Sequence, residues 1–168
     1  MGLLARIIGN ETGRDDTARR TSPDKSTGIA YDAGLVDRLK KDHQDLVVIY
    51  TAIKTAANEG RFHELPGLLT NLKLAFQTHV MQENVKFYVY VQQHYSHDAD
   101  TANFIFDVRK EMEGIARALI KFVNTHSTIL PTRETVANFQ AELDHIGAVL
   151  MMRVQLEENR LYSLYQPA

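Results

Sequence analysis

Four long stretches of this chain carry apolar residues at alternating intervals of three and four positions. This spacing constrains the fold more than any other feature, because it places the apolar side chains on one face of an α-helix that must be buried. From residue 32 onward, no stretch alternates apolar and polar residues as a half-buried strand would. The sequence therefore predicts an all-α fold, an up-and-down four-helix bundle.

The four apolar rows run as follows. Helix 1 has Val36, Leu39, His43, Leu46, Tyr50 and Ile53. Helix 2 has Leu65, Leu69, Leu72, Phe76, His79, Glu83, Phe87 and Tyr90. Helix 3 has Ile105, Val108, Met112, Ile115, Leu119 and Phe122. Helix 4 has Phe139, Leu143, Ile146, Leu150, Arg153, Glu157, Leu161 and Leu164.

The predicted helices are separated by residues 58–60, 94–100 and 125–131. Pro66 falls in the first turn of helix 2, where proline is tolerated, and Thr132 is the predicted N-cap of helix 4. A length of 168 residues suits one hydrophobic core. We predict a flexible N-terminal leader at residues 1–30, which lack a buried apolar period, and a bundle domain at residues 31–168.

Charge and composition narrow the classes of function. The chain has 19 basic and 21 acidic residues, a net charge of -2, which gives no reason to expect a nucleic-acid or membrane partner. It has no cysteine, which excludes disulfides and thiolate metal sites and suits a reducing compartment. Met1–Ile8 is too short for a signal peptide. We predict a cytoplasmic protein.

Five ionisable residues interrupt three of the otherwise apolar rows. They are His43, His79, Glu83, Arg153 and Glu157. A buried ionisable group is strongly unfavourable unless it is paired or bound to a metal, so we expect the five to meet in one layer.

This layer has two interpretations. In the first, His79 and Glu83 project from the same face of helix 2 and bind one metal ion, with His43 as a third ligand. In the second, the histidines and carboxylates form a metal-free polar network in which the guanidinium of Arg153, next to Glu83 and Glu157, supplies the positive charge.

The other conspicuous residues predict no further site. His63, His94, His97, His126 and His145 lie in loops, at helix ends or off the apolar rows, where solvated histidine is usual. Five tyrosines that follow helical spacing are predicted to be core or interface side chains with hydroxyls in contact with water. They are Tyr50, Tyr88, Tyr90, Tyr162 and Tyr165. No activated nucleophile, phosphate-binding loop or zinc-protease motif is visible, so we predict that the protein is not an enzyme.

Two segments of this sequence resemble the paired His-x-x-x-Glu helices of the hemerythrin-like, cation-binding HHE family. They are residues 79–88, HVMQENVKFY, and residues 153–162, RVQLEENRLY. Residues 41–46, KDHQDL, are similar to the first-helix histidine motif of that family. The resemblance implies a di-iron centre that binds oxygen or nitric oxide or handles iron, with His43, His79, Glu83 and Glu157 as its ligands here.

The ligand set of that family is incomplete in this chain. Arg153 stands at the position of the helix 4 histidine, and Met112 stands where a helix 3 histidine is expected. A thioether does not replace an imidazole as a ligand for iron. The resemblance therefore implies no cofactor or one ion, iron or another divalent metal, rather than a full di-iron site.

A second resemblance involves helices 1 and 4. Residues 35–38, LVDR, with Leu46, Val48 and Tyr50, and the helix 4 residues Ile146, Leu150, Arg153 and Glu157 resemble the regulator of sigma D family, Rsd and AlgQ. Members of that family are four-helix bundles that bind the primary sigma factor of RNA polymerase.

Two hypotheses follow. The first is a non-enzymatic regulatory bundle that binds a protein partner, a sigma factor, and contains the polar network. The second is a hemerythrin-like protein that binds iron and senses oxygen or nitric oxide.

Overall fold

The four predicted helices are present in the computed structural model, which describes residues 28–167. Helix 1 is α1 (Leu35–Asn58). Helix 2 is α2 (Leu65–Gln82), a π-helical turn (Glu83–Phe87) and α3 (Tyr88–His94), preceded by a 3-10 turn (Phe62–Glu64). Helix 3 is α4 (Ala99–Thr128). Helix 4 is α5 (Val136–Leu156), a π-helical turn (Glu157–Leu161) and a 3-10 turn (Tyr162–Leu164).

The helices form a ring of four neighbours. Helix 1 packs against helices 2 and 4, and helix 3 packs against the same two helices. Each helix is joined to the next by a short connection, and residues 28–167 contain no strand. This arrangement confirms the predicted all-α bundle. The predicted leader lies almost wholly outside the described residues, so the domain boundary stays a prediction.

The apolar core is divided into two clusters. One is built around Ile53, Leu69, Phe76, Leu119 and Leu143, and the other around Leu35, Phe87, Ile105, Leu161 and Tyr162. Along helices 1, 2 and 4, the five ionisable residues of the rows fall between the residues of these two clusters. The polar layer is therefore closed off from water at both ends by packed apolar side chains.

Two details of the helix ends bear on the sequence predictions. Pro66 lies in the first turn of helix 2, as predicted. The prediction of Thr132 as the N-cap of helix 4 is wrong, because helix 4 begins at Val136 after Thr135. The hydroxyl of Thr132 donates instead to the side chain of Glu134, at 2.6 Å, within the turn that follows Pro131.

Within residues 28–167, no helix combines the length and the apolar character that crossing a membrane requires. The predicted cytoplasmic location stays a prediction.

Helices 1 and 4 approach each other closely at Gly147. A Cβ atom at this position would lie 2.4 Å from the hydroxyl oxygen of Tyr50 on helix 1, inside van der Waals contact. A Cβ atom added to Gly114, within helix 3, would meet no neighbouring residue within 4 Å.

We predict that Gly147→Ala destabilises the protein by about 1–3 kcal/mol, because the methyl group displaces the Tyr50 ring. Gly114→Ala should stabilise it by about 0.5–1 kcal/mol, through helix propensity alone. Urea unfolding of the two variants measures both changes. A stabilised Gly147→Ala would show that the contact with Tyr50 is loose.

Candidate metal centre

The structure brings all five ionisable residues of the apolar rows into one layer. Their exposed fractions lie between 0% and 4%. The members are His43 from helix 1, His79 and Glu83 from helix 2, and Arg153 and Glu157 from helix 4. Helix 3 contributes no buried ionisable side chain to the layer, although the exposed Glu111 lies 3.7 Å from Nη1 of Arg153, and Met112 is buried beside the layer.

The Nε2 atom of His43 lies at the centre of this layer. It is 3.2 Å from Nε2 of His79 and 3.1 Å from Oε2 of Glu157. One donor atom from each of these three residues lies within 4.8 Å of the other two. Two imidazole nitrogens and one carboxylate oxygen therefore converge on a single point.

A carboxylate lies behind each imidazole, but only Glu158 is within hydrogen-bond distance, and Nδ1 of His79 has no hydrogen-bond partner within residues 28–167. Oε1 of Glu158 is 2.8 Å from Nδ1 of His43, and Oδ2 of Asp42 is 3.6 Å from Nδ1 of His79. A carboxylate at one ring nitrogen fixes the ring and directs the other nitrogen to a metal, as in many metal sites. Asp42 and Glu158 were missed by the sequence analysis, although each is adjacent in sequence to a predicted site residue.

The two imidazoles differ in their tendency to take up a proton. Burial, together with the charge of His43, lowers the pKa of His79 from 6.5 to about 4. Burial would also lower the pKa of His43, but Glu157 and Glu158 outweigh it and raise that pKa above 6.5. His79 is therefore neutral at pH 7, which is the form of imidazole that binds a metal.

Arg153 is fully engaged with partners on three helices. Its Nε donates to Oε1 of Glu157, its Nη1 donates to the backbone carbonyl of Val108 at 2.8 Å, and its Nη2 donates to the hydroxyl of Tyr88 at 2.9 Å. Burial would raise the pKa of Glu157, but hydrogen bonding to His43 and the charge of Arg153 hold it below the ordinary value. Glu157 thus presents one oxygen to Arg153 and the other to His43.

The contacts of Glu83 differ from those expected in the predicted polar network. Arg153 was expected next to both carboxylates, but it forms an ion pair with Glu157 and none with Glu83. Oε1 of Glu83 accepts a hydrogen bond from the Tyr162 hydroxyl at 2.9 Å, whereas Oε2 has no hydrogen-bond partner within residues 28–167. Burial and the neighbouring charge of Glu157 raise its pKa to about 8.

The π-helical turns bring two tyrosines into the layer. Five residues along an α-helix rotate a side chain about 140° away from the starting face. In a π-helical turn the backbone bond joins residues i and i+5, so Tyr88 follows Glu83, and Tyr162 follows Glu157, on the same face. The hydroxyls of both tyrosines are hydrogen-bonded inside the layer rather than to water, so the predicted solvent contact is wrong for them.

The other five histidines lie away from the layer, as the sequence analysis expected. His63, His94, His97 and His145 are exposed, and His126 pairs with Glu142 at 3.0 Å.

A cavity of about 80 Å³ connects the layer to the surface between helices 1 and 4. Apolar side chains form most of its wall, among them Leu46, Val47, Leu150 and Met151, and His43, His79, Arg153 and Glu157 also line it. The cavity offers a small uncharged molecule an apolar route to the layer.

The donor set fits one metal ion and not two. Donor atoms bound to one ion at about 2.0–2.2 Å lie about 3.0–3.5 Å from each other, and the two distances from Nε2 of His43 fall in this range. Arg153 occupies the other side of Glu157 and cannot bind a metal. Two histidines and one carboxylate are the ligand set of many mononuclear iron(II) sites.

A four-helix bundle with a buried layer of converging imidazoles and carboxylates defines a class of cation-binding bundle proteins. The family model "Hemerythrin HHE cation binding domain" matches residues 34–165, and the chain belongs to this family. No curated protein and no solved structure matches the chain. The second resemblance, to the regulator of sigma D family, therefore receives no support from the comparisons.

Removal of the Arg153 side chain should leave one oxygen of the buried Glu157 carboxylate without a partner. We predict that Arg153→Ala lowers the free energy of unfolding of the metal-free protein by about 3–5 kcal/mol, the range for a broken buried ion pair. Arg117→Ala, which breaks an exposed pair with Glu113, should change it by less than about 0.5 kcal/mol. Equal effects of the two substitutions in urea unfolding would contradict the role assigned to Arg153.

The metal-free protein should lose stability between pH 6.5 and pH 8. In this range the folded state retains a proton on Glu83, whose pKa is raised from 4.5 to about 8, while the unfolded chain has released it. The raised pKa of His43 acts in the same direction, and the effect of His79, whose pKa is lowered to about 4, is already complete.

Urea midpoints measured with a chelator present test this prediction. Glu83→Gln keeps a neutral side chain at all pH values and should show a smaller decline than the wild type. Glu113→Gln, at an exposed position of helix 3, should decline as the wild type does. The same decline in all three proteins would show that Glu83 holds no extra proton.

Proposed function

We propose that this protein binds a single metal ion, iron(II), through Nε2 of His43, Nε2 of His79 and Oε2 of Glu157. The observation that carries the proposal is the convergence of these three buried donor atoms within 4.8 Å of one another. Glu158 holds the imidazole of His43 in the orientation that binding needs, and Asp42 lies 3.6 Å behind that of His79. Membership of a cation-binding family supports the same function.

The unpartnered atoms of the layer also support a bound cation. A buried polar atom without a partner is unfavourable, and such atoms mark sites that an ion or water molecule completes. Oε2 of Glu83 is one of these atoms and lies 3.8 Å from Nε2 of His79. A cation held by His43, His79 and Glu157 would favour the ionised form of this neighbouring carboxyl group.

When bound, iron would supply a centre that can bind dioxygen or nitric oxide. The chain's own residues determine access, because the cavity between helices 1 and 4 reaches His43, His79 and Glu157 through apolar walls. A neutral diatomic molecule crosses such walls more readily than an ion does. We propose sensing or binding of one of these gases as the use of the ion.

We predict that the purified, untagged protein binds one equivalent of iron(II), and that a second equivalent is excluded by Arg153. His79→Ala should lower the affinity by at least about 10-fold, because it removes a donor from the centre. His145→Ala, an exposed position on helix 4, should leave it unchanged. Elemental analysis and anaerobic equilibrium dialysis measure both quantities, and a wild-type protein that takes up no iron would refute the proposal.

A second candidate function is the binding of a protein partner, as in the regulatory hypothesis. The observation that favours it is a set of exposed apolar side chains next to the cavity, Val47 and Val48 on helix 1 and Met151 and Met152 on helix 4. Exposed methionine is common on surfaces that bind other proteins. A sigma factor as that partner rests on the sequence resemblance alone, and retention of purified sigma subunit on the immobilised protein tests it.

A further inference from the structure

Tyr162 occupies a position in the layer that a hydrogen bond to a carboxylate alone does not account for. Its hydroxyl oxygen lies 2.9 Å from Oε1 of Glu83 and 3.3 Å from Nε2 of His43. Its ring is nearly parallel to the His43 ring, with the planes 10° apart. The hydroxyl oxygen therefore lies beside the imidazole nitrogen that also faces His79 and Glu157.

The distances around His43 define a complete set of neighbours. Three potential ligand atoms surround its Nε2 atom: Nε2 of His79 at 3.2 Å, Oε2 of Glu157 at 3.1 Å and the hydroxyl oxygen of Tyr162 at 3.3 Å. Each distance agrees with the spacing of about 3.0–3.5 Å between adjacent ligands of one ion. Nε2 carries at most one proton, so it can donate a hydrogen bond to one of these three atoms, whereas a metal ion could bind all of them.

We infer that Tyr162 is itself a ligand of the metal ion, so that the ion is held by two imidazoles, one carboxylate and one phenolate. The inference rests on the proposed metal binding and adds a ligand to it. A phenolate is a hard, anionic oxygen donor and favours the ferric over the ferrous state of the ion.

Binding of Tyr162 to the ion requires the loss of its hydroxyl proton. On binding, the O–H bond of Tyr162 breaks, a bond from the phenolate oxygen to the metal forms, and the proton is released to bulk water. The hydrogen bond from this hydroxyl to Oε1 of Glu83 is lost in the same step.

Tyr88 is a natural control for Tyr162. The two residues follow equivalent π-helical turns, and both are buried. The hydroxyl of Tyr88, however, accepts a hydrogen bond from Arg153 and does not approach either imidazole within hydrogen-bond distance. Loss of the Tyr88 hydroxyl should therefore leave the ligands of the ion in place.

The test uses the full-length protein loaded with ferrous ion and then oxidised in air. The wild type should show a visible phenolate-to-iron charge-transfer band, with tyrosine ring modes in the resonance Raman spectrum excited in that band. Tyr162→Phe should lose the band and these modes while still binding iron, and Tyr88→Phe should retain both. If Tyr162→Phe fails to fold, the wild-type and Tyr88→Phe spectra still identify the ligand, because they show whether a tyrosine other than Tyr88 is bound.

The outcomes separate this inference from the proposed function. Stoichiometric ferric iron in the wild type without tyrosine modes would overturn the inference and leave metal binding by His43, His79 and Glu157 intact. A band that persists in Tyr162→Phe would also overturn it. A wild type that binds no iron would instead overturn the proposed function, and with it the inference.

Discussion

The sharing of Glu157 between Arg153 and His43 determines what the interior of this bundle can hold. One carboxylate oxygen accepts from the guanidinium, and the other faces the imidazole nitrogen. A permanent cation therefore occupies one side of the carboxylate and leaves the other side for a single ion. This pairing explains how this member of a cation-binding family accommodates an arginine in its ligand layer without leaving a buried charge unpaired.

The π-helical turns of helices 2 and 4 complete this layer. Each turn begins at a buried glutamate and places a tyrosine hydroxyl over the same face of its helix. Without the wider turn, Tyr88 and Tyr162 would point away from the layer, and both Arg153 and Glu83 would lose a buried hydrogen-bond partner. Such π-helical turns are frequent at functional sites. Their backbone geometry is less favourable than that of an α-helix, so they persist where side-chain contacts stabilise them.

The fold followed from the sequence because helical periodicity is a local property that the apolar rows record directly. The polar layer was predicted in part from the sequence. Its five ionisable residues meet because they replace apolar residues on the buried rows, and they are His43, His79, Glu83, Arg153 and Glu157. The ion pair of Arg153 with Glu157 was predicted, but the hydrogen bonds of Tyr88 and Tyr162 were not, since the sequence gives no sign of the π-helical turns that reorient these two residues. The start of helix 4 was also misplaced, because Thr132 and Thr135 are equally good capping residues by type and only the turn after Pro131 decides between them.

The layer has nearly the same net charge whether protons or a metal ion occupy it. At pH 6.5 the raised pKa values of His43 and Glu83 favour a proton on each. The proton on Glu83 removes the charge of that carboxylate, and protonated His43 together with Arg153 balances the carboxylates of Glu157 and Glu158. A divalent ion that displaces two protons leaves the net charge of the layer unchanged. Such an exchange lets a buried site remain folded when empty and still bind a cation, whereas a layer of permanently ionised carboxylates would repel itself without one.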